Sequence, residues 1–176
     1  DVWDEYTGAG VVVGVVDDGV DYTQSDLAPN YRHDLDFDVR DGDLDAGPGS
    51  SDRHATAVAG MITGRIDGQG SVGIAPDAQV TSYRLQFGSG VSRTQAPAAF
   101  DFAREAGVDI LNNSWGWNGV FTDNLYSGNF IDSGRALEDL VAQGRDGLGM
   151  IVTFSAGNSR SSGQNVNYHG YQNSPY

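Results

Sequence analysis

The stretch from residue 11 to residue 20 constrains the fold more than any other part of the chain. It runs through valines and a single glycine and then reaches Asp17, Asp18 and Gly19. Such a nearly continuous apolar run predicts a strand buried on both faces, as in a parallel sheet. Because parallel sheets present functional groups beyond the carboxyl ends of their strands, Asp17 is a candidate site residue. The alternative is structural, since Asp-Gly is also a common turn signal.

Length and charge narrow the classes of partner. The chain has 176 residues, 39% of them hydrophobic, and a formal net charge of −14 at pH 7. This length is enough for one α/β domain with its own core. The negative charge argues against nucleic acid and against anionic membrane surfaces, because both carry phosphate charges, but it permits divalent cations.

Cysteine is absent from the chain, which rules out disulfides and a thiol nucleophile. A cysteine-free acidic chain is consistent with a secreted or periplasmic protein. No apolar run is long enough to span a bilayer. The sequence therefore predicts an extracytoplasmic protein without a membrane partner.

Strand-like apolar runs alternate with helix-like segments along most of the chain. Strands are predicted at residues 11–17, 79–85, 108–114 and 150–154, the first and last of them buried, and helices at residues 50–62, 94–106 and 131–144. This alternation predicts an α/β fold with a mostly parallel twisted sheet and right-handed crossovers. Since Asp17, Ser114 and Asn158 all follow predicted strands, we expect them to converge on one rim of the sheet.

His54 lies in the first turn of a predicted helix, after Ser51 and Asp52, either of which can cap it. The helix dipole disfavours an imidazolium at this position, whereas a nearby carboxylate such as Asp17 would restore its basicity. A lone histidine at a helix start is usually structural. A histidine paired with a strand-end aspartate is instead typical of a catalytic site.

Residues 34–45 alternate acidic residues with apolar or turn residues. A solvated acidic loop is the structural interpretation of such a charge run. The functional interpretation is a calcium site, because clustered carboxylates repel one another unless a cation neutralises them. The spacing does not match an EF-hand, since the sixth position of a loop starting at Asp34 is not glycine.

Three glycines near the start, Gly8, Gly10 and Gly14, have the spacing of a nucleotide-binding motif. That motif should follow a strand and open a helix. Here the glycines precede and enter the strand instead. A nucleotide-binding α/β domain therefore remains a third hypothesis with little support.

Three motifs together resemble the subtilisin-like serine proteases, the subtilases of peptidase family S8. Residues 16–20 match the family's catalytic-Asp motif, residues 54–60 its catalytic-His motif and residues 155–158 its oxyanion-Asn motif. They occur in the family's order, and the resemblance covers nearly the whole chain. One departure is Ala55, where the family usually has glycine. The resemblance implies a three-layer subtilisin-like fold with helices on both faces of the sheet.

Within the family, the chain is most similar to the kexin/furin branch. It has that branch's doubled aspartate, Asp17 and Asp18, and a similar acidic loop at residues 37–45. The branch lines its S1 pocket, which binds the side chain before the scissile bond, with acids. This chain has Gly119 and His169 at the aligned places, so we expect a specificity that is not dibasic.

The resemblance implies a role for each matching residue. Asp17 would orient His54, His54 would act as general base and then general acid, and Asn158 would donate to the oxyanion. Asp18 would face the second residue before the scissile bond. Peptide substrate would also contact two further segments, Ser114, Trp115 and Gly116 along a strand and Ser155, Ala156 and Gly157 on one wall of the S1 pocket.

Calcium is the implied cofactor, at two sites. The first resembles a family site built by the Asp26 and Asp67 side chains with the carbonyls of Arg65, Gln69 and Ser71, an all-oxygen set that suits calcium. The second comprises Asp38, Asp43 and Asp45. A third family site, next to S1, is expected to be lost because Gln164 replaces an acid.

The family's nucleophilic serine lies in a Gly-Thr-Ser motif that does not occur in residues 1–176. We therefore expect residues 1–176 to be part of a catalytic domain, without the family's N-terminal arm and with the serine on a second chain or a C-terminal segment. The leading hypothesis is a serine endopeptidase acting on peptides or proteins. The alternative is an inactive subtilase-like pseudoprotease that binds peptides or partners.

Overall fold

The computed structural model describes residues 2–88 and 92–176. Five strands and three α-helices form the framework: β1 (Val12–Asp17), β2 (Phe37–Asp38), α1 (His54–Thr63), β3 (Gln79–Arg84), α2 (Ser92–Ala106), β4 (Ile110–Asn113), α3 (Ile131–Gln143) and β5 (Ile151–Phe154). Short 3₁₀ turns lie at Val2–Asp4, Ala28–Asn30, Gly128–Phe130, Arg145–Gly147, Arg160–Ser162 and Val166–Tyr168.

The strands form one sheet in the order β2-β3-β1-β4-β5, and every neighbouring pair is parallel. Strand β1 lies in the middle, between β3 and β4, and is buried along nearly its whole length. A strand in this position has no solvent-facing side, which explains why its sequence is a continuous run of valines. The predicted parallel α/β fold is confirmed.

Helices cover both faces of the sheet, so the predicted three layers are confirmed as well. On one face Val15 and Val80 pack with Ala55 and Ala59 of α1. On the other face Val16 and its neighbours form a larger core with apolar residues of α2 and α3. Successive residues of β1 thus point into opposite cores, as the two-residue period of a strand requires.

Gly14 shows how tightly the larger core is packed. A Cβ atom at this position would lie 2.8 Å from the Tyr83 ring and 2.9 Å from a methyl group of Leu111. Both neighbours are fully buried. The single glycine within the valine run therefore makes room for an aromatic ring, which is a packing role and not a phosphate-binding role.

The fifth strand departs from the prediction. Residues 150–154 are predicted as a buried strand, but Ile151 in β5 is 56% exposed. The reason is topological, because β5 is the last strand in the sheet order and has a partner on one side only among the described residues. An apolar strand at an open edge remains available for further pairing.

Two smaller differences concern the loops. Helix α1 begins at His54, so residues 50–53 precede the helix instead of opening it. The acidic segment contains the short edge strand β2, which pairs with β3. The sequence did not predict this strand, because its residues lie within a run of alternating acids. Of the helices within the described ranges, none is both long and apolar enough to cross a membrane.

Candidate active site

The sheet register brings the three predicted strand ends together. Val15 of β1 lies opposite Asn112 of β4, and Asn113 of β4 lies opposite Phe154 of β5. The residues that follow these strands therefore emerge on the same rim. The Trp115 indole nitrogen donates a 2.9 Å hydrogen bond to the carbonyl oxygen of Val16 and ties the ends of β1 and β4 together.

Asp17 and His54 form a close pair at this rim. The Asp17 Oδ2 atom lies 2.8 Å from the His54 Nδ1 atom. The Asp17 side chain is 3% exposed, whereas that of His54 is 57% exposed. A buried carboxylate therefore holds one ring nitrogen, and the solvent-facing ring is accessible to other groups.

The protonation of Asp17 is set by opposing effects. Burial raises the pKa of its carboxyl group above the ordinary value, while the hydrogen bond from the Asp18 amide and the charge of His54 act in the opposite direction. The amide bond is 2.8 Å long. Because burial disfavours an unpaired carboxylate, the charged form of Asp17 depends on His54 for compensation.

Asp18 has a structural function that the sequence did not reveal. Its carboxylate accepts hydrogen bonds from the backbone amides of Arg53, His54 and Ala55, at 3.2, 3.1 and 2.7 Å. These amides belong to the start of α1, where no preceding turn can satisfy them. The prediction that Ser51 or Asp52 caps the helix is wrong. The N-cap residue of α1 is Arg53, whose side chain makes no capping hydrogen bond, and Asp18 accepts the amides at the helix start instead.

Most of the remaining predicted substrate residues line one cleft of about 200 Å³. Its walls include Ser114, Trp115, Gly116, Ser155, Ala156, Gly157 and Asn158. The hydroxyl of Ser155 donates to the Trp115 carbonyl at 3.2 Å, and the Gln172 amide donates to the Ser155 carbonyl at 2.9 Å. These bonds hold the segments after β4 and β5 side by side.

Sequence reasoning missed a buried pair behind this cleft. His169 lines the cleft and is 8% exposed, and Asp123, which is 1% exposed, lies behind it with an oxygen 3.8 Å from the His169 Nδ1 atom. Gln164 also lines the cleft, and its amide donates to the Asn118 carbonyl at 2.7 Å. No sequence signal connected Asp123 to the site, because it lies in an irregular loop.

The first predicted calcium site stays a prediction, but two of its parts lie next to each other in the structure. Asp26 and the loop at residues 65–71 are adjacent, and the Asp26 carboxylate accepts a 3.0 Å hydrogen bond from the Ser71 amide. Gly70 has a positive φ of 60° and passes so close to this carboxylate that a Cβ atom would collide with it. The loop thus packs closely against the Asp26 carboxylate.

The second predicted site is arranged differently. Asp38, Asp43 and Asp45 line one cavity, but the Arg84 guanidinium is also there and binds the Asp38 carboxylate at 2.7 Å. In the described part of the chain no three acidic or histidine side chains converge as metal ligands. Of the three predicted ligands Arg84 pairs with Asp38 alone, and the second calcium site stays a prediction.

The fold and the site together define a class: a three-layer α/β protein with an Asp–His pair and a cleft on the carboxyl rim of a parallel sheet. The chain belongs to the subtilase family, whose model matches residues 8–174.

Curated relatives place the chain in the kexin-like part of this family. It is 34% identical over 180 residues to kexin of Saccharomyces cerevisiae, covering all of this chain and 22% of the relative. It is 32% identical over 186 residues to human furin, covering 97% of this chain and 22% of furin. The chain thus spans about a fifth of the length of these relatives.

Solved structures agree with the fold. The serine protease of Aeromonas sobria is 30% identical, with a TM-score of 0.72 over 87% of this chain and 26% of that protein. Fervidolysin from Fervidobacterium pennivorans, a keratinolytic enzyme related to subtilisin, is 28% identical, with a TM-score of 0.69 over 97% of this chain and 24% of that chain.

Proposed function

We propose that this chain is part of a serine endopeptidase and supplies the aspartate, the histidine and the oxyanion asparagine of its active site. The observation that carries the proposal is the 2.8 Å contact between the buried Asp17 carboxylate and the exposed His54 ring. The relatives named kexin and furin and the protease structures support a peptide or protein as the substrate.

In this mechanism the His54 Nδ1–H group donates a hydrogen bond to the Asp17 carboxylate, which stays ionised, so the Nε2 atom is the unprotonated nitrogen of the ring. Nε2 then takes the proton of a serine hydroxyl as that oxygen attacks the scissile carbonyl, and later returns it to the leaving amine. Asp17 holds the ring in this tautomer and stabilises the imidazolium that forms. Its burial strengthens this interaction, because few water molecules screen it.

Asn158 and the cleft beside it would bind the substrate. The Asn158 amide is exposed in the cleft and would donate to the oxyanion that develops on the attacked carbonyl. The segment Ser114–Trp115–Gly116 continues directly from β4. An extended peptide could pair with it as an added strand, which places the side chain before the scissile bond in the cleft.

Asp18 can serve both the fold and the substrate. Its oxygens accept the amides of α1, which fixes the position of His54. The residue is half-buried, so part of it stays accessible from solvent. We retain the proposal that it also faces a substrate side chain.

The serine would come from a second chain or a following segment. The open apolar edge at β5 supports this proposal, because Ile151 is 56% exposed and Leu148 is 79% exposed. A segment that packs there would cover these side chains and extend the sheet. It would also reach the same rim as Asn158, which follows β5 directly.

Calcium binding at the Asp26 site is also proposed. The close approach of Gly70 to the Asp26 carboxylate supports it, and Asp26 with Asp67 and the loop carbonyls would provide hard oxygen ligands. The ion would brace the loop that follows α1. We further propose an extracytoplasmic location, which the cysteine-free acidic sequence and the kexin-like relatives support.

Peptide cleavage by single variants tests the proposed function. We expect His54→Ala and Asn158→Ala to lower kcat by at least about 100-fold, as measured for one lost oxyanion donor in subtilisin. Arg135→Gln is a matched control, because Arg135 is 69% exposed on α3. Equal rates in the wild type and in His54→Ala would instead indicate a pseudoprotease that binds peptides.

A further inference from the structure

The cleft beside Asn158 is lined by basic side chains, whereas the chain as a whole is strongly acidic. The chain carries a net charge of −14, yet among the residues that the structure describes no aspartate or glutamate lines the cleft, and the charged or titratable side chains there are Arg160 and His169. We propose that this cleft selects an acidic side chain, glutamate or aspartate, immediately before the scissile bond. This inference rests on the proposed function, because it names the substrate class of the same site.

His169 provides the first argument. It is more than nine-tenths buried, and its Nδ1 atom has no hydrogen-bond partner among the described residues. A buried polar atom without a partner is costly. The ring lies between the cleft and the buried loop residue Asp123, so it is placed to connect a bound side chain with that carboxylate.

Asp123 lies close to the His169 ring. Its carboxylate is 1% exposed, and one oxygen accepts the Tyr171 amide at 3.3 Å while the other, Oδ1, has no hydrogen-bond partner among the described residues. The His169 Nδ1 atom lies 3.8 Å from Asp123 Oδ1. The ring has two nitrogens, so Nδ1 can face Asp123 while Nε2 faces a polar group in the cleft.

Arg160 provides the second argument. It is exposed on the wall of the cleft, and none of the described residues forms an ion pair with it. Most other arginines in the described part lie beside carboxylates, for example Arg84 with Asp38 and Arg145 with Asp109. An unpaired guanidinium at the mouth and a histidine donor within the cleft are complementary to a carboxylate and repel a lysine or arginine side chain.

Profiling with a peptide library tests the inference in the protein that contains this chain and its serine. Cleavage after any residue supports the proposed function, and the residue preceding the cut tests the inference separately. We expect kcat/KM for glutamate to exceed that for glutamine by roughly 10- to 100-fold, the value of one charge-assisted hydrogen bond. Preference for arginine, lysine or an apolar residue would overturn the inference.

Glutamine is the informative competitor, because it has the shape of glutamate without its charge. The Oε1 atom of Gln172 is buried without a partner and could accept from an amide donor. If glutamine equals or exceeds glutamate, the cleft recognises an amide, and the charge argument is wrong.

Two variants assign the effect to residues. Arg160→Gln and His169→Gln should each reduce the glutamate-over-glutamine ratio, while Arg135→Gln, an exposed charge removal on α3, should leave it unchanged. Circular dichroism establishes that each variant is folded. An unchanged ratio in both cleft variants contradicts the assignment.

Binding gives a readout that does not require catalysis. Peptides that end in glutamate, glutamine or lysine mimic the product and can be titrated while the His169 ring signals are followed by NMR. We expect the glutamate peptide to bind most tightly and to shift those signals. Equal affinity for the three peptides would overturn the inference even if no peptide is cleaved.

Discussion

Asp18→Ala is the substitution whose effect follows most directly from the structure. Asp18 caps α1 from a distance, since it precedes His54 by 36 residues and still accepts three amides at the start of the helix. Alanine at this position leaves all three amides without a protein partner. The loss should therefore affect stability as well as the position of His54.

The magnitude can be estimated from two contributions. Loss of a helix cap costs about 0.5–2 kcal/mol, and loss of a negative charge at a helix N-terminus costs a further ~0.3–1 kcal/mol. The half-buried setting of Asp18 limits replacement by water. We expect the free energy of unfolding to fall by roughly 1–3 kcal/mol, and Tm to fall by about 2–4 °C for each kcal/mol in a chain of this size.

Urea denaturation followed by circular dichroism measures this loss. Asp132→Ala is the matched control, because Asp132 lies in the first turn of α3, is 74% exposed and does not cap the helix. It should change the free energy of unfolding by less than about 0.5 kcal/mol. Equal effects of the two substitutions would refute the capping argument.

Three further predictions concern other parts of the molecule. Burial raises the folded-state pKa of Asp17, so ionisation of this carboxyl group lowers the stability of the folded chain as the pH rises through that pKa. Asp17→Asn should therefore raise Tm relative to the wild type at pH 7 but not at pH 3. The same substitution should abolish peptidase activity. Gly70→Ala should lower Tm and calcium affinity, as calorimetry with and without calcium would show, because a Cβ atom collides with Asp26. Asp109→Ala should cost about 1–3 kcal/mol in urea denaturation, since its carboxylate accepts both the first amide of β1 at 2.9 Å and the Arg145 guanidinium at 2.8 Å. Unchanged stability in the last two variants, or a Tm difference for Asp17→Asn that is the same at both pH values, would contradict these arguments.

Local sequence patterns predicted the architecture well where one physical effect dominates. The valine run of β1 is buried on both faces, and this alone placed Asp17 at the end of a central strand. The pairing of Asp17 with His54 also followed, because parallel topology brings strand ends and helix starts to one rim.

The structure differs from the sequence predictions where contacts between distant segments determine burial or capping. The strand at β5 has the composition of a buried strand, yet Ile151 is exposed because β5 occupies the sheet edge among the described residues. The cap of α1 comes from Asp18 and not from a neighbouring residue. Local patterns do not report such contacts.

The candidate site also contains residues that local sequence patterns predicted and residues that they did not. The segments beside Asn158 could be assigned from their motifs, and they line one cleft. The Asp123–His169 pair could not, because it joins two irregular loops through a contact that depends on the whole packing. The charge of the cleft is therefore a property of the folded chain.

Labelling with a fluorophosphonate probe, with the labelled residue mapped by mass spectrometry, tests the central claim most directly. The claim is that Asp17 and His54 activate a serine outside residues 1–176. It predicts one labelled serine outside this chain, and a labelling rate that falls sharply in His54→Ala but not in Arg135→Gln. Absence of label in the protein, or a rate unchanged by His54→Ala, would contradict the assignment of this pair to catalysis.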